Sequence, residues 1–238
     1  MERRSARAAF ILTQEFDMQP SQFIKQTFHC PVCLNEELMT AWTLVHAQAD
    51  PDLKDRLLRK TLQLHPCSNC GREFQIESGL VYLDSEQKFL IAYEPDLENP
   101  AAWQPYDLDH AQPDWTIRLV TDQNQLIEKI HIFDSGLDDR LVELLKLSLL
   151  RQENQPVKAR RFFYYQPQEP DESALLHFMV AAEDDQWYNL DLERSIYQNT
   201  EQLIAAAGLV LPDQWLVDQS TAVGLLRELS QTPLADLS

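Results

Sequence analysis

Cys30-Pro31-Val32-Cys33 and Cys67-Ser68-Asn69-Cys70-Gly71 are two C-x-x-C turns, and together they hold all four cysteines of the chain. A turn of this kind curls two sulfurs toward one centre, so a pair of turns can deliver four thiolates to one tetrahedral ion. Structural Zn²⁺ on Cys30, Cys33, Cys67 and Cys70 is the expected occupant, with redox or iron–sulfur chemistry as the alternatives. A thioredoxin-type pair needs a strand-to-helix turn in a βαβ setting and a nearby cation, and neither turn has them. A disulfide framework belongs to short exported domains, which this 238-residue chain does not resemble. Four thiolates leave no position for water, so the expected site is closed and non-catalytic. His29 and His65 stand close to the turns, but four sulfurs already fill the coordination sphere, and both read as strand residues.

Working outward, the alternation of Phe23, Lys25, Thr27 and Phe28 predicts a strand entering the first turn, and Leu38 to Val45 predicts its return. Asp50-Pro51-Asp52 starts a short helix to about Lys60: Asp50 is placed to cap free N–H groups, and Pro51 has no first-turn N–H to lose. Leu53, Leu57 and Leu58 recur at helical spacing on a face expected to cover the cysteine-bearing hairpins. Thr61 to His65 feeds the second turn, Glu73 to Ile76 leaves it, and Gly71 supplies a residue tolerant of positive φ. Leu80-Val81-Tyr82-Leu83 and Lys88 to Tyr93 predict a further hairpin around Asp84 to Gln87.

Composition narrows the partners. Lys and Arg total 20 against 38 Asp and Glu, for a formal charge of −18, while 44% apolar residues are ample for a folded core. Affinity for a polyanion comes from clustered cations. Between the cysteine turns Lys54, Arg56, Arg59 and Lys60 are opposed by Glu36, Glu37, Asp50, Asp52 and Asp55, and beyond them only Lys158, Arg160 and Arg161 form a short basic patch. The charge therefore argues against direct nucleic-acid binding and against anionic membrane surfaces. No stretch has the length of a membrane span. Arg3, Arg4 and Arg7 before Ala8 to Leu12 make too short an apolar run for a signal peptide. Free thiols without an export signal point to the cytoplasm. Residues 1–22 read as a loose tail or short helix.

Pro95, Pro100, Pro105 and Pro113 make residues 94–115 a linker or covering loop, with Trp103, Tyr106 and Trp115 expected to pin it to its own domain and docking of a partner as the alternative. Ile117 to Val120 is a strand and Asn124 to Ile132 a helix with Leu126, Ile127, Ile130 and Phe133 on its apolar face. Ser135-Gly136 ends it. Asp138 or Asp139 caps a second, leucine-rich helix that includes Leu141, Val142, Leu144, Leu145 and Leu147, so the two form a helical hairpin. Asp134, Asp138, Asp139 and Glu143 are explained by capping and the helix dipole. Glu128-Lys129 and Glu143 with Lys146 read as surface or helix-edge ion pairs.

The two cysteine turns, Leu80-Val81-Tyr82-Leu83-Asp84, Arg118-Leu119-Val120, Leu126-Ile127-Glu128-Lys129-Ile130 and Gly136-Leu137-Asp138-Asp139-Arg140 with Glu143-Leu144 and Lys146 resemble, in order over about residues 28–150, the prokaryotic CpXC family, named for paired Cys-Pro-x-Cys motifs. The resemblance implies zinc-ribbon-like pairing of Cys30, Cys33, Cys67 and Cys70, and it brings no catalytic residues with it. Two positions depart from the pattern: Ser68 stands where the second motif has proline, and Leu34 rather than glycine follows the first.

After Gln152 to Pro156 the composition resets. Arg161 to Tyr165, Leu175 to Val180 and Trp187 to Leu190 predict an antiparallel meander, followed by a helix from Glu193 to Ala207 ended by Gly208, a short strand within Leu209 to Val217 and a helix from Thr221 to Leu229. The expected fold is α+β: zinc-ribbon-like hairpins with a helical hairpin in a zinc-binding region over 23–152, then an antiparallel sheet plus helices over 158–238.

For function the sequence favours a zinc-stabilised binding or scaffold protein with a protein partner and no catalytic residue. The competing reading is a hydrolase or nuclease using Mg²⁺ or Mn²⁺ on Asp138, Asp139 and Glu143, with His131, in the acidic stretch 134–143. A nucleic-acid-associated ribbon is a third. There is no Gly-rich phosphate loop, G-x-S-x-G or H-E-x-x-H.

Overall fold

The computed structural model describes residues 20–100, 114–151, 158–167 and 174–231. It is a mixed α/β structure whose described residues form ten strands and five helices, and it divides into two compact units, Met1–Ile127 and Glu128–Ser238. The readings of residues 1–19 as a tail and of Trp103 and Tyr106 as pinning aromatics lie outside the described residues.

In the first unit β1 (Gln22–His29) and β2 (Glu36–His46) pair antiparallel, from His29 opposite Glu36 to Phe23 opposite Trp42. Directly opposed residues share a face. Ile24, Phe28, Met39 and Ala41 lie on one face and pack with Phe74 and Ile76, while Phe23 and Trp42 meet edge-on on the other, their ring centroids 5.4 Å apart. Helix α1 (Pro51–Leu58) begins with Pro51 in the first turn and buries Leu53 and Leu57, packing against β2. Asp50 occupies the N-cap position without capping. Its carboxylate instead accepts the Ser21 N–H at 2.9 Å, which ties the chain entering β1 to the start of α1, and Ser21 holds the Asp50 carboxyl below its ordinary range.

Strands β3 (Leu64–Pro66) and β4 (Glu73–Gln75) form a separate two-stranded ribbon. Strands β5 (Leu80–Asp84) and β6 (Phe89–Tyr93) form the expected hairpin, and every residue in both is buried. They form the middle of a sheet ordered β1-β2-β5-β6-β7, with β2 parallel to β5 and β6 parallel to β7 (Thr116–Val120). Burial on both faces explains why β5 and β6 are continuous apolar runs while β1, at the sheet edge, alternates. Buried Gln63 completes this unit: its side chain accepts the Trp42 N–H at 3.1 Å and donates to the Trp42 carbonyl at 3.0 Å and to the Ser78 hydroxyl at 3.1 Å.

The division between units falls inside α2 (Gln123–Asp134). The second unit therefore takes in the last residues of α2, then α3 (Asp139–Leu150) and the meander β8 (Ala159–Tyr165), β9 (Leu175–Ala182) and β10 (Trp187–Glu193), ordered β10-β9-β8. Gly136, at φ +65°, turns the chain between the helices, and Asp138 caps α3 by accepting the Arg140 N–H at 2.9 Å. Of the two aspartates offered as caps, Asp138 is the one used. Helix α4 (Arg194–Ala206) ends at Gly208, with φ +65°, and α5 (Gln219–Gln231) follows. The strand expected within Leu209–Val217 does not form; Pro212 interrupts that segment, which runs as irregular backbone.

One core joins these elements: Ile132, Leu141, Leu145, Phe162, Phe178, Tyr197, Ile204 and Ala222 are among its buried members. Packing thus draws α3 together with the C-terminal meander, whereas the sequence motifs group α3 with the cysteines and divide the chain at 152–158. The two cuts answer different questions, since one follows shared apolar contacts and the other follows motif order.

Candidate metal centre

The first cysteine turn is the loop between β1 and β2, and the second is the loop between β3 and β4. Their backbones match. The Leu34 N–H donates to the Cys30 carbonyl at 2.9 Å and the Gly71 N–H to the Cys67 carbonyl at 2.8 Å; the Cys30 N–H donates to the Asn35 carbonyl at 3.0 Å and the Cys67 N–H to the Arg72 carbonyl at 2.8 Å. In each turn the residue after the second cysteine is left-handed, Leu34 with φ +59° and Gly71 with φ +70°. Leu34 thus adopts the conformation that Gly71 adopts in the other turn, although it carries a Cβ.

The sulfurs pair across the turns: Cys30 Sγ lies 3.7 Å from Cys70 Sγ, and Cys33 Sγ lies 3.6 Å from Cys67 Sγ. All four lie within 4.8 Å of one another. A tetrahedron with metal–sulfur bonds of about 2.3 Å has edges of about 3.8 Å, so this spacing suits a tetrahedral ion at the centre. Cys30 and Cys67 are buried, Cys33 is half-buried and Cys70 is exposed. Backbone and side-chain amides face the sulfurs: the Val32 N–H donates to Cys30 Sγ at 3.4 Å, and Asn69 Nδ2 donates to Cys33 Sγ at 3.5 Å.

Glu37 joins the two turns. Its Oε1 accepts the Ser68 N–H at 2.7 Å, the Ser68 hydroxyl at 3.0 Å and Asn35 Nδ2 at 3.0 Å. A proline at 68 has no N–H to donate, which gives the second departure from the Cys-Pro-x-Cys pattern a physical use. The thiols do not share one acidity. The Asn69 amide, helped by the Asn35 backbone, holds Cys33 down to about 6. The Cys70 backbone N–H draws Cys67 down, but burial, Glu37 and Cys33 outweigh it and push Cys67 up to about 12. Four thiolates packed this closely require a cation to hold them ionised together.

Neither histidine joins the group. His29 Nε2 pairs with Glu36 Oε1 at 2.9 Å on the surface. His65 Nε2 is buried with no hydrogen-bond partner among the described residues.

The acidic stretch 134–143 is not gathered as a metal site. Asp138 is engaged by its own N-capped helix and by Arg140, whose guanidinium lies 2.6 Å from Oδ2. Asp139 Oδ2 accepts Lys129 Nζ at 2.7 Å, and Glu143 Oε1 accepts Lys146 Nζ at 2.9 Å. Among the described residues the four cysteines are the only metal-ligating side chains brought together in this way. The expected surface pairs are in fact interior. Glu128, Lys129, Asp139 and Glu143 are all buried, and Lys146 Nζ bridges Glu143 to both oxygens of Glu128, at 3.0 and 2.9 Å. Glu128 Oε1 also accepts the Tyr164 N–H at 2.8 Å, on the edge strand β8. Charge pattern alone could not reveal this, because an i,i+3 pair such as Glu143 and Lys146 reads the same on a buried helix face as on an exposed one.

A family model described as "CpXC protein" matches residues 28–146, from the strand that enters the first cysteine turn to the lysine of the buried network. The chain belongs to the CpXC family. As a CpXC protein it carries both cysteine turns and all five charged residues of the network inside the matched span. No curated protein and no solved structure matches it. Among the described residues, no helix is long and apolar enough to cross a membrane.

Proposed function

We propose that this CpXC protein is a zinc-stabilised, non-enzymatic module that binds another protein through its ribbon, with Cys30, Cys33, Cys67 and Cys70 as the ligands of one structural Zn²⁺. The observation that carries the reading is a closed four-sulfur centre with large apolar side chains left in solvent on the same hairpin. Leu34 is 73% exposed and Leu38 69% exposed, and Val32 and Phe23 are exposed as well. A domain of this size does not need these side chains outside for folding, and a rigid loop that displays them suits a protein contact. A formal charge of −18 disfavours nucleic acid and anionic membranes as the partner. Four thiolates leave no coordination site for substrate or water, which supports a structural role for the ion. The cytoplasm is the compartment in which such thiolates persist without oxidation.

The test combines two measurements. Elemental analysis of purified protein should give one zinc per chain. Immobilised full-length protein should capture a reproducible partner, and Val32→Asp with Leu38→Asp should lose it while zinc content and melting temperature stay unchanged. Zinc-free protein with four titratable thiols would refute the metal assignment. A partner retained by the double variant would refute the ribbon surface.

A further inference from the structure

The two edges of the second unit's sheet differ. On β8 the Tyr164 N–H donates to Glu128 at 2.8 Å, so that edge is engaged by α2. β10 is the other edge. The Ala182 N–H donates to the Gln186 carbonyl at 3.0 Å and the Arg194 N–H to the Ala174 carbonyl at 2.7 Å, at the two ends of one unbroken register between β9 and β10. Bonded and non-bonded positions alternate along an antiparallel pair. Between those ends Tyr188, Leu190 and Leu192 therefore bond to β9, while Trp187, Asn189, Asp191 and Glu193 turn their N–H and carbonyl groups away from it. Among the described residues nothing takes those four N–H groups.

The side chains along this edge leave the core open. Tyr188, Leu190 and Leu192 lie opposite Val180, Phe178 and Leu176, so they share the core face. Leu190 and Leu192 are only partly buried against the core, Tyr188 is 39% exposed, and Ile196, in the first turn of α4, is 42% exposed. On the opposite face Trp187 is 51% exposed. An edge strand is ordinarily guarded by proline, a bulge or charge. β10 has no proline and no bulge, and the Asp191 carboxylate is tied to His177 Nδ1 of its own sheet at 2.8 Å.

We infer that β10 is an interface between two copies of this chain, which pair their β10 strands antiparallel about a twofold axis at Leu190 and join two three-stranded sheets into one. The sequence of the strand selects that register. On the core face Leu190 meets its own counterpart and Tyr188 meets Leu192 of the second copy; on the other face Trp187 meets Glu193 and Asn189 meets Asp191. Every outward N–H and carbonyl from 187 to 193 then has a partner. An axis at Asp191 would oppose two aspartates, and an axis at Asn189 would leave Leu192 unmatched. A shift by one residue would send the two sets of core side chains to opposite faces.

Local charge suits the same register. It brings Arg194 opposite Gln186 of the second copy, beside the acidic turn Glu183 to Asp185. The formal charge of −18 on each chain opposes the encounter, but at physiological salt that repulsion is screened beyond about 8 Å. The surface belongs to the second unit, and its reading does not depend on the ribbon's.

The experiment is sedimentation of the full chain between about 1 and 100 μM, with amide hydrogen exchange followed by NMR at both ends of that range. A reversible monomer–dimer equilibrium is expected. The Trp187, Asn189, Asp191 and Glu193 amides should exchange more slowly as concentration rises, while those of Tyr188, Leu190 and Leu192 are protected at both ends. Asn189→Pro deletes one outward N–H and no bond to β9, so it should weaken the dimer about tenfold or more with the circular dichroism spectrum unchanged. Val32→Asp with Leu38→Asp should leave the dimer intact. Should Asn189→Pro fold poorly, the alternating amide protection in the unsubstituted protein still decides. A monomer at every concentration would overturn the inference and leave the edge to another protein or to a segment of the same chain. A dimer that survives Asn189→Pro, or that the ribbon variant abolishes, would overturn it as well.

Discussion

Leu34 and Gly71 occupy the same place in two independent turns, each left-handed and each donating its N–H to the carbonyl of the first cysteine. The left-handed conformation costs a residue with a Cβ about 1–2 kcal/mol, and glycine avoids that cost while giving back some of the gain through its freer unfolded chain. Leu34→Gly should therefore raise stability by up to about 1 kcal/mol, and Gly71→Ala should lower it by about 1 kcal/mol. A Cβ at 71 meets nothing within 4 Å, so that loss is conformational. Denaturant melts of zinc-loaded protein measure both. If the exposed Leu34 side chain contacts the partner, Leu34→Gly should weaken binding as it strengthens the fold.

With the proposed Zn²⁺ bound at the four sulfurs, its removal should act locally. A strong chelator should lower the melting temperature, and hydrogen exchange should show lost protection in β1 to β4 with protection retained in α3 and β8 to β10. Cys30→Ser, at a buried sulfur of the proposed site, should reproduce the loss without chelator. Uniform loss of protection across both units would contradict this expectation.

Lys129→Met removes the buried ammonium that lies 2.7 Å from the buried Asp139 carboxylate. Breaking one partner of a buried pair costs about 3–5 kcal/mol, whereas replacing both by apolar groups of similar volume is often neutral. Lys129→Met with Asp139→Leu should then recover most of the stability, as equilibrium unfolding of the single and double variants will show.

Gln63→Ala should cost about 1–3 kcal/mol, because it leaves the Trp42 N–H and carbonyl without the side chain that serves both. Gln63→Glu keeps the acceptor for the Trp42 N–H but sets a buried carboxylate against the Trp42 carbonyl, and should cost at least as much as Gln63→Ala in a thermal melt.

Much of the fold was legible because its signals are local. The cysteine spacing, the alternation around Phe23 to Phe28, the leucines of α3 and the glycines at 71, 136 and 208 each act within a few residues, and the structure places turns, strands and helices there. Asp50 shows where locality ends: its sequence context is that of a helix cap, but Ser21, distant in sequence, is brought within reach and takes its carboxylate. The strand read into Leu209 to Val217 does not form because Pro212 interrupts the apolar run, and the segment stays irregular.

What the sequence determined by itself is the set of four sulfurs, since short turns fix the geometry within each pair and two pairs suffice for one tetrahedron. What only tertiary structure decided is the environment of the charges. Glu128, Lys129, Asp139, Glu143 and Lys146 have the spacing of solvated helix pairs, and packing turns them into one interior network of ion pairs. Local geometry is set by bonds along the chain, but desolvation is set by what the rest of the chain packs on top, so the same residues are weak surface pairs in water and strongly coupled groups in the core.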